Sequence, residues 1–433
     1  MGHHWLGSED AAWSRMEEAT NPMVVSALVQ LAQPLAPGDV DALAARLSAI
    51  PHFRDRLVGG LLPRWSPAPK FDARVHVKRV TLPTSGDAPL RSFIQQVACQ
   101  FLNPAEPLWR IYAIDRPEGG TTLLFRIHHA LADGFALLGA LAALCDADPD
   151  SADGAVNRPH VASPPAAGGP SDWARALWRL AVLPPDPRTA LKHELGLSKV
   201  LAWSAPFALS EVKRVANASG ATVNDVLVAT VAGALGRHLG RGSSCPPRAD
   251  VRAMLPVNLR TAEEMTLPGN RFGFMMLSLP IAERDPFVRL ALVKARTGAL
   301  KSSAEARVAH TLLLAVARAP RAVRNALVSF FGKKTSLIVS NVAGPVRPAK
   351  MANTAITRIM FRVPQSARLG LGISLLSYAG QVTIGVLADR AVVADPEALV
   401  ADLAAEFAAL ASGPAAARHA SQPVRNGASP AHL

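Results

Sequence analysis

Arg126-Ile127-His128-His129-Ala130-Leu131-Ala132-Asp133-Gly134-Phe135 lies between two apolar runs of different rhythm. Thr121 to Ile127 is short and rich in apolar and β-branched residues, which predicts a strand, whereas Phe135 to Leu144 carries helical spacing. The ten residues therefore form a strand-to-helix connection, where a rigid scaffold displays reactive groups. Working outward, Val75 to Leu82 reads as another strand and Leu90 to Phe101 as a helix, so the first half alternates in the manner of an α/β fold.

Adjacent histidines point in different directions, which separates a reactive ring from a supporting one. An imidazole with an ordinary pKa near 6.5 is largely neutral at cellular pH and can take a proton from a hydroxyl. Asp133, four residues past His129, is close enough to order the loop or to bind an arginine that holds it. Gly134 would permit a left-handed or closely approached backbone. Two other readings stand beside catalysis: a pair of buried, hydrogen-bonded histidines, or two metal ligands with Asp133 as a third. A metal site needs a further His, Cys or carboxylate cluster at ligand spacing, and the sequence offers none, so no metal is expected.

The 433 residues, 49% hydrophobic and 18% charged, are enough for a large core and two or three domains. Cys99, Cys145 and Cys245 are widely spaced and form neither a disulfide framework nor a zinc motif, which fits a reducing compartment. The first apolar run, Val24 to Ala32, is short and lacks a basic flank, so no signal peptide is expected and the protein should be cytoplasmic. The longest apolar run, Phe135 to Cys145, is too short to cross a bilayer. A net charge of +13 calls for an anionic partner: nucleic acid, an anionic membrane face or a phosphate-bearing substrate. Aromatic residues are only 5%, with two tyrosines, and no basic run is interleaved with stacking residues, which argues against nucleic acid.

Between Asp146 and Pro187 the composition turns to Pro, Ala, Gly, Asp and Ser, which marks a crossover with a short helix near Trp173 to Leu183. This predicts an N-terminal half at 1–147, a linker at 148–187, a second half at 188–411 and a disordered tail at 412–433. In the second half, Leu209 to Ala216 and Asn224 to Leu239 read as helices. Strands are expected at Val251 to Pro256, Phe274 to Pro280, Thr335 to Ser340 and Val382 to Leu387.

The His-His-x-x-x-Asp-Gly segment resembles the signature of the CoA-dependent acyltransferase superfamily, and further motifs narrow the likeness. Ser8-Glu9-Asp10-Ala11-Ala12-Trp13, Pro107-Leu108-Trp109, Ala221-Thr222-Val223-Asn224-Asp225-Val226, Pro256-Val257-Asn258-Leu259-Arg260, Gly269-Asn270-Arg271 and Ser340-Asn341-Val342-Ala343-Gly344-Pro345 follow one another in the order found in bacterial wax ester synthase/acyl-CoA:diacylglycerol acyltransferases. The likeness runs from about Leu6 to Leu403. It implies two chloramphenicol-acetyltransferase-like α/β halves with mixed sheets and a tunnel at their interface. It also implies His129 as general base, with His128, Asp133 and Gly134 supporting the loop. Acyl-CoA would be the donor, as a substrate with no further cofactor, and a long-chain alcohol or diacylglycerol the acceptor.

Substrate contacts are implied at Asn224, Asp225, Pro107, Leu108, Trp109, Asn341 and Gly344. Each has a plainer reading: Trp109 as core, Thr222, Asn224 and Asp225 as helix caps, Asn341 and Gly344 as a turn. The family often has Leu-Asp-Arg before a second Arg-Pro-Leu-Trp. Leu102-Asn103-Pro104-Ala105-Glu106-Pro107-Leu108-Trp109 lacks two of those basic positions, which bears on substrate preference. Other acyl transfers of the superfamily, polyketide or glycolipid esterification or condensation from a carrier-protein thioester, are the alternatives, together with a catalytically silent lipid-surface binding protein. Finally, Val308 to Phe331 combines apolar residues with Arg318, Arg321 and Arg324. That composition suits either a peripheral helix on an anionic membrane or lipid-droplet surface, or an ordinary core-facing helix interrupted at Pro320.

Overall fold

The computed structural model describes residues 4–59, 63–147, 168–241, 249–260 and 270–413. Cys245, Gly269, most of the expected linker (148–167) and the tail from 414 lie outside the described residues. Two mixed sheets carry the fold. The first runs, edge to edge, Lys350–Met351, Thr354–Arg362, Val24–Leu31, Thr121–His128, Trp109–Asp115 and Val77–Thr81. Its pairs are antiparallel except the last, which is parallel. The second runs Phe272–Leu279, Val251–Asn258, Leu337–Ala343, Leu371–Tyr378, Gln381–Asp389 and Lys199–Trp203, with Phe207–Ala208 also beside Gln381–Asp389. Leu337–Ala343 is parallel to both of its neighbours.

Val24–Leu31 and Thr121–His128 are buried at every position, as central strands covered on both faces must be. Helices Pro37–Ser48 and Gly134–Leu144 cover one face through Leu43, Leu47, Leu137 and Leu141. Helix Asp87–Ala98 covers the other through Leu90 and Ile94, together with Leu201 and Trp203 of the second sheet. The second sheet packs on Val223–Arg241, Pro286–Lys301 and Pro396–Ala411. The helices and strands expected from periodicity are present with shifted ends, and helix Pro170–Val182 occupies the expected break in the linker.

Sheets and chain halves do not coincide. Thr354–Arg362, within the stretch expected as the second half, 188–411, pairs antiparallel with Val24–Leu31 of the first sheet. It covers what would otherwise be an open sheet edge. Val308 to Phe331 forms parts of two helices, Glu305–Arg318 and Arg321–Lys334. The break falls where Pro320, which has no N–H to continue the first helix, becomes the N-cap of the second. Gly273 matters for the site: a Cβ there would collide with the Ala306 carbonyl, so only glycine lets strand Phe272–Leu279 lie flush against helix Glu305–Arg318. Among the described residues no single helix is long and apolar enough to cross a membrane.

Candidate active site

Strand Thr121–His128 ends opposite Val24, and the His129 N–H then donates to the Met23 carbonyl at 2.7 Å. The turn that follows is closed by Asp133. Its carbonyl accepts from Leu137 N–H at 2.8 Å and its Oδ1 from Ala136 N–H at 2.8 Å, so Asp133 caps helix Gly134–Leu144. Its Oδ2 accepts from the Arg260 guanidinium at 2.7 Å and from Arg271 N–H at 3.1 Å. Both expected roles of Asp133, ordering the loop and binding an arginine, are present in one side chain. Gly134 is different from expectation. Its φ is not in the left-handed region, and a Cβ there would sit 3.8 Å from Val342, an ordinary contact. As the first residue of a helix it has ordinary helical backbone, so neither strain nor close approach requires glycine there.

The two histidines face different partners. His128 Nδ1 accepts from Ala130 N–H at 3.0 Å, which puts its proton on Nε2, 3.5 Å from Glu17 Oε1. Glu17 Oε1 also accepts from Met23 N–H at 3.0 Å, so His128 fastens the loop to the segment before the first strand. The His129 ring stacks on Trp13, with centroids 4.0 Å apart and planes at 18°. Its Nδ1 lies 2.9 Å from Asn270 Oδ1. The Asn270 amide nitrogen donates to the His129 carbonyl and to Asp10 Oδ1, each at 2.7 Å. Those two donations fix which end of the amide is oxygen, and a carbonyl oxygen can only accept. His129 must therefore carry its proton on Nδ1, which leaves Nε2 with a lone pair and no protein partner among the described residues. Burial pushes His129 down to about 4, against the opposing charge of Asp133, so the ring is neutral at physiological pH. Burial also raises the Asp10 carboxyl to about 7, opposed by its hydrogen bonds from Asn270.

His129 opens on a chamber between the two halves, walled by Asp133, Gly134, Val25 and Phe361 on one side and Pro256, Phe272, Ser340 and Asn341 on the other. A second, almost wholly apolar chamber adjoins it and shares Trp13, Met254, Phe274 and Ser366. Asn341, expected near the site, lines the first chamber, and its amide donates to Asn224 Oδ1 at 3.0 Å. Asn224 is not the helix cap. Thr222 and Asp225 close a capping box, Asp225 N–H to Thr222 Oγ1 at 3.2 Å and Thr222 N–H to Asp225 Oδ2 at 2.9 Å. Asp225 also accepts from the Thr297 hydroxyl at 2.6 Å.

Pro107, Leu108 and Trp109 do not reach either chamber. Trp109 is buried in the first core with Nε1 donating to the Phe53 carbonyl at 2.7 Å, and the Leu108 carbonyl accepts from His128 N–H at 2.9 Å. Gly344 donates its N–H to the Ser377 carbonyl at 2.9 Å, and a Cβ there would collide with that oxygen. None of these four lines either chamber, and their described contacts are those of packing and backbone pairing. Asp10, Trp13 and Asn270 stand in the sequence as members of longer motifs, with little local to set them apart as site residues. No spacing connects positions 10, 129 and 270, and the polar Asn270 beside a Gly-Arg pair is the only local sign of them.

Two mixed-sheet halves with a histidine on the chamber between them define an acyltransferase of the chloramphenicol-acetyltransferase-like fold. The model of the wax ester synthase/diacylglycerol acyltransferase catalytic domain matches residues 6–182, and that of the WS/DGAT C-terminal domain matches 268–411. The chain belongs to this wax ester synthase/diacylglycerol acyltransferase family. It is similar to a Mycobacterium tuberculosis protein described as a probable diacylglycerol O-acyltransferase, 25% identical, covering 91% of this chain and 92% of the other. The wax ester synthase/diacylglycerol acyltransferase from Marinobacter aquaeolei VT8 has a TM-score of 0.71 at 24% identity, covering 94% of this chain and 98% of that one. The first condensation domain of the calcium-dependent antibiotic synthetase shares the fold more distantly, with a TM-score of 0.63 at 16% identity, covering 96% of each chain.

Proposed function

We propose that this protein moves a fatty acyl group from acyl-CoA to the hydroxyl of a long-chain alcohol or diacylglycerol. The observation that carries the reading is the His129 ring, which lines the chamber between the halves: its Nδ1–H is committed to Asn270, and its Nε2 has no protein partner among the described residues. Nε2 accepts the hydroxyl proton as the alcohol oxygen attacks the thioester carbonyl. The tetrahedral intermediate then collapses, the C–S bond breaks, and the proton passes from Nε2 to the departing CoA thiolate, leaving ester and free thiol. Burial that keeps His129 neutral favours the first half of this cycle, and the Asp133 charge nearby favours the cation in between. For the oxyanion, the chamber offers the Ser340 hydroxyl and the second amide hydrogen of Asn341, whose first is held by Asn224.

The experiment is thiol release from palmitoyl-CoA with hexadecanol, diacylglycerol or water as acceptor. Release that requires an alcohol supports transfer. Release equal with water alone would make the protein a thioesterase, and no release with CoA but turnover with a carrier-bound thioester would favour the condensation-type alternative. Family-model matches favour the CoA reading over that alternative, whose condensation-domain relatives share only the fold.

Peripheral docking on an anionic lipid surface belongs to the same proposal. In Glu305–Arg318 the residues Leu313 and Val316 are buried, so this helix is largely core. Helix Arg321–Lys334 buries only Lys334, and Val323 and Phe330 are exposed. On helix Pro170–Val182, Leu177, Trp178 and Val182 are exposed, Trp178 by 70%. The inner faces of both helices line the second chamber through Leu180, Val328 and Phe331, while their outer faces combine apolar groups with cations, the composition of an interfacial surface. Vesicles containing anionic lipid should bind the protein, more weakly as salt rises and more weakly again when Arg318, Arg321 and Arg324 become Gln. Equal pelleting of the triple variant would remove this surface from the proposal.

A further inference from the structure

Among the described residues four arginines are buried: Arg126, Arg260, Arg289 and Arg362. Arg260 pairs with Asp133 and Arg289 with Glu406, as the buried Lys199 pairs with Asp389. Arg126 and Arg362, 1% and 5% exposed, make no such pair. They lie together. Ser26 is in register with Arg126 on one side and with Arg362 on the other, so the three form one row across three strands, on one face of the sheet. Arg362 reaches along that row to donate to Ser26 Oγ at 2.6 Å. Arg126 donates to the Gln100 carbonyl, just past helix Asp87–Ala98, and meets the Tyr112 hydroxyl. The Nε atom of each is buried without a partner.

A guanidinium does not give up its proton under ordinary conditions. Burial, then the neighbouring charge of Arg126, push Arg362 down to about 9, which still leaves it cationic at neutral pH. The negative end of helix Asp87–Ala98 near Gln100 offsets only part of two like charges held out of water.

We propose that a small monovalent inorganic anion, chloride in the cell, is bound between Arg126 and Arg362 over Ser26. Its donors are the two unpartnered Nε–H groups and the Ser26 hydroxyl hydrogen, whose oxygen already accepts from Arg362. One negative charge turns a repelling pair into an alternating plus-minus-plus row, and the low exposure of both arginines excludes bulky organic anions. The site is separate from substrate. Val25 and Phe361 line the first chamber, and the adjacent Ser26 and Arg362 point to the opposite face of the same strands. Arg362 belongs to the strand that the second half lends to the first sheet, and Arg126 lies two residues before His128. The anion therefore fastens the incoming strand to the sheet behind the chamber wall.

The test is thermal unfolding of the full chain in sodium chloride against sodium gluconate at one ionic strength. Chloride should raise the midpoint by roughly 3–5 °C once it is well above its dissociation constant, and Arg362→Met should remove the chloride dependence. If Arg362→Met does not fold, wild-type crystals soaked in sodium bromide answer the same question, with an anomalous peak expected between the two Nε atoms. Equal midpoints in chloride and gluconate overturn the proposal. So does a chloride effect that Arg362→Met retains in full, or bromide that binds only elsewhere.

Discussion

The two chambers that meet at Trp13 share four wall residues yet differ in nearly everything else. The first holds His129, Asp133, Ser340 and Asn341. The second is lined by Met16, Leu180, Met276, Ala309, Leu312 and other apolar side chains, with Ser366 its one polar wall residue among those described. Apart from Ser366, which both chambers share, the groups able to move a proton or stabilise an oxyanion thus lie on one side of an indole, and the other side is apolar. The difference suggests a division of labour under the proposed function: bonds would change in the first chamber, and a hydrocarbon chain would be buried in the second at about 25 cal/mol per Å² of apolar surface removed from water.

The harshest way to break the comparison is to remove the one base. His129→Ala should lower kcat a hundredfold or more in a folded protein, because general-base catalysis contributes roughly 10²–10⁴. Near-wild-type turnover would leave the first chamber without its assigned chemistry. Asn270 sharpens the same point. Asn270→Ala releases the Nδ1 proton and should lower kcat roughly tenfold, one hydrogen bond's worth of tautomer control. Asn270→Asp puts a carboxylate against Nδ1–H, which favours the imidazolium. The His129 pKa then rises from about 4, and activity on the acid side is lost at a higher pH than in wild type. The measurement is kcat/KM against pH for the wild type and both variants, and an unmoved acid limb in Asn270→Asp would show that the amide does not govern the ring.

Most elements, and the histidine that faces the chamber, were legible in sequence, because they are local. Thr121 to Ile127 and Phe135 to Leu144 announce their rhythm within a few residues, and Asp133 four places past His129 is within reach of any turn. The partners of that motif were not legible in the same way. Asn270 reaches His129, and Asp10 reaches Asn270, where Gly273 lets its strand approach helix Glu305–Arg318 and where helix Ser8–Met16, which carries Asp10 and Trp13, packs against that same helix. Thr354–Arg362 has the alternation of any strand, but nothing in its residues says that it will pair with Val24–Leu31 rather than inside its own half. Pro107 to Trp109 show the reverse error. A motif next to the catalytic strand suggests contact with substrate, whereas the indole N–H is already taken by Phe53.

A milder intervention tests the second chamber alone. Ala309 lines it and not the first, and Ala309→Leu adds three carbons where a chain would run. The ratio of turnover on hexadecanol to turnover on butanol should fall roughly tenfold, the scale on which hydrophobic pockets discriminate by a few methylenes, while kcat on butanol stays within about twofold because the base is untouched. A uniform loss on both alcohols would mean that the second chamber supports the fold and takes no chain.

The smallest expected effect concerns the pair behind the first chamber's polar wall. Asn341 lines the chamber, and Asn224 accepts one of its amide hydrogens at 3.0 Å, so Asn224 works through its oxygen. Asn224→Ala removes that acceptor and lets the Asn341 amide turn, which at about 1 kcal/mol for a hydrogen bond corresponds to roughly a fivefold loss in kcat. Asn224→Asp keeps an oxygen facing Asn341 and makes the bond charge-assisted. Its negative charge sits in the first turn of helix Val223–Arg241, where the helix dipole favours it. The Asp variant should therefore stay within about threefold of wild type in kcat and unfold at the same or a slightly higher temperature. A true oxyanion donor at position 224 would give the opposite order, since a carboxylate beside a developing alkoxide repels it and Ala merely removes a donor. Comparing the two variants at one pH decides which amide faces the reaction: Asp above Ala assigns the donor to Asn341, and Ala above Asp assigns it to Asn224.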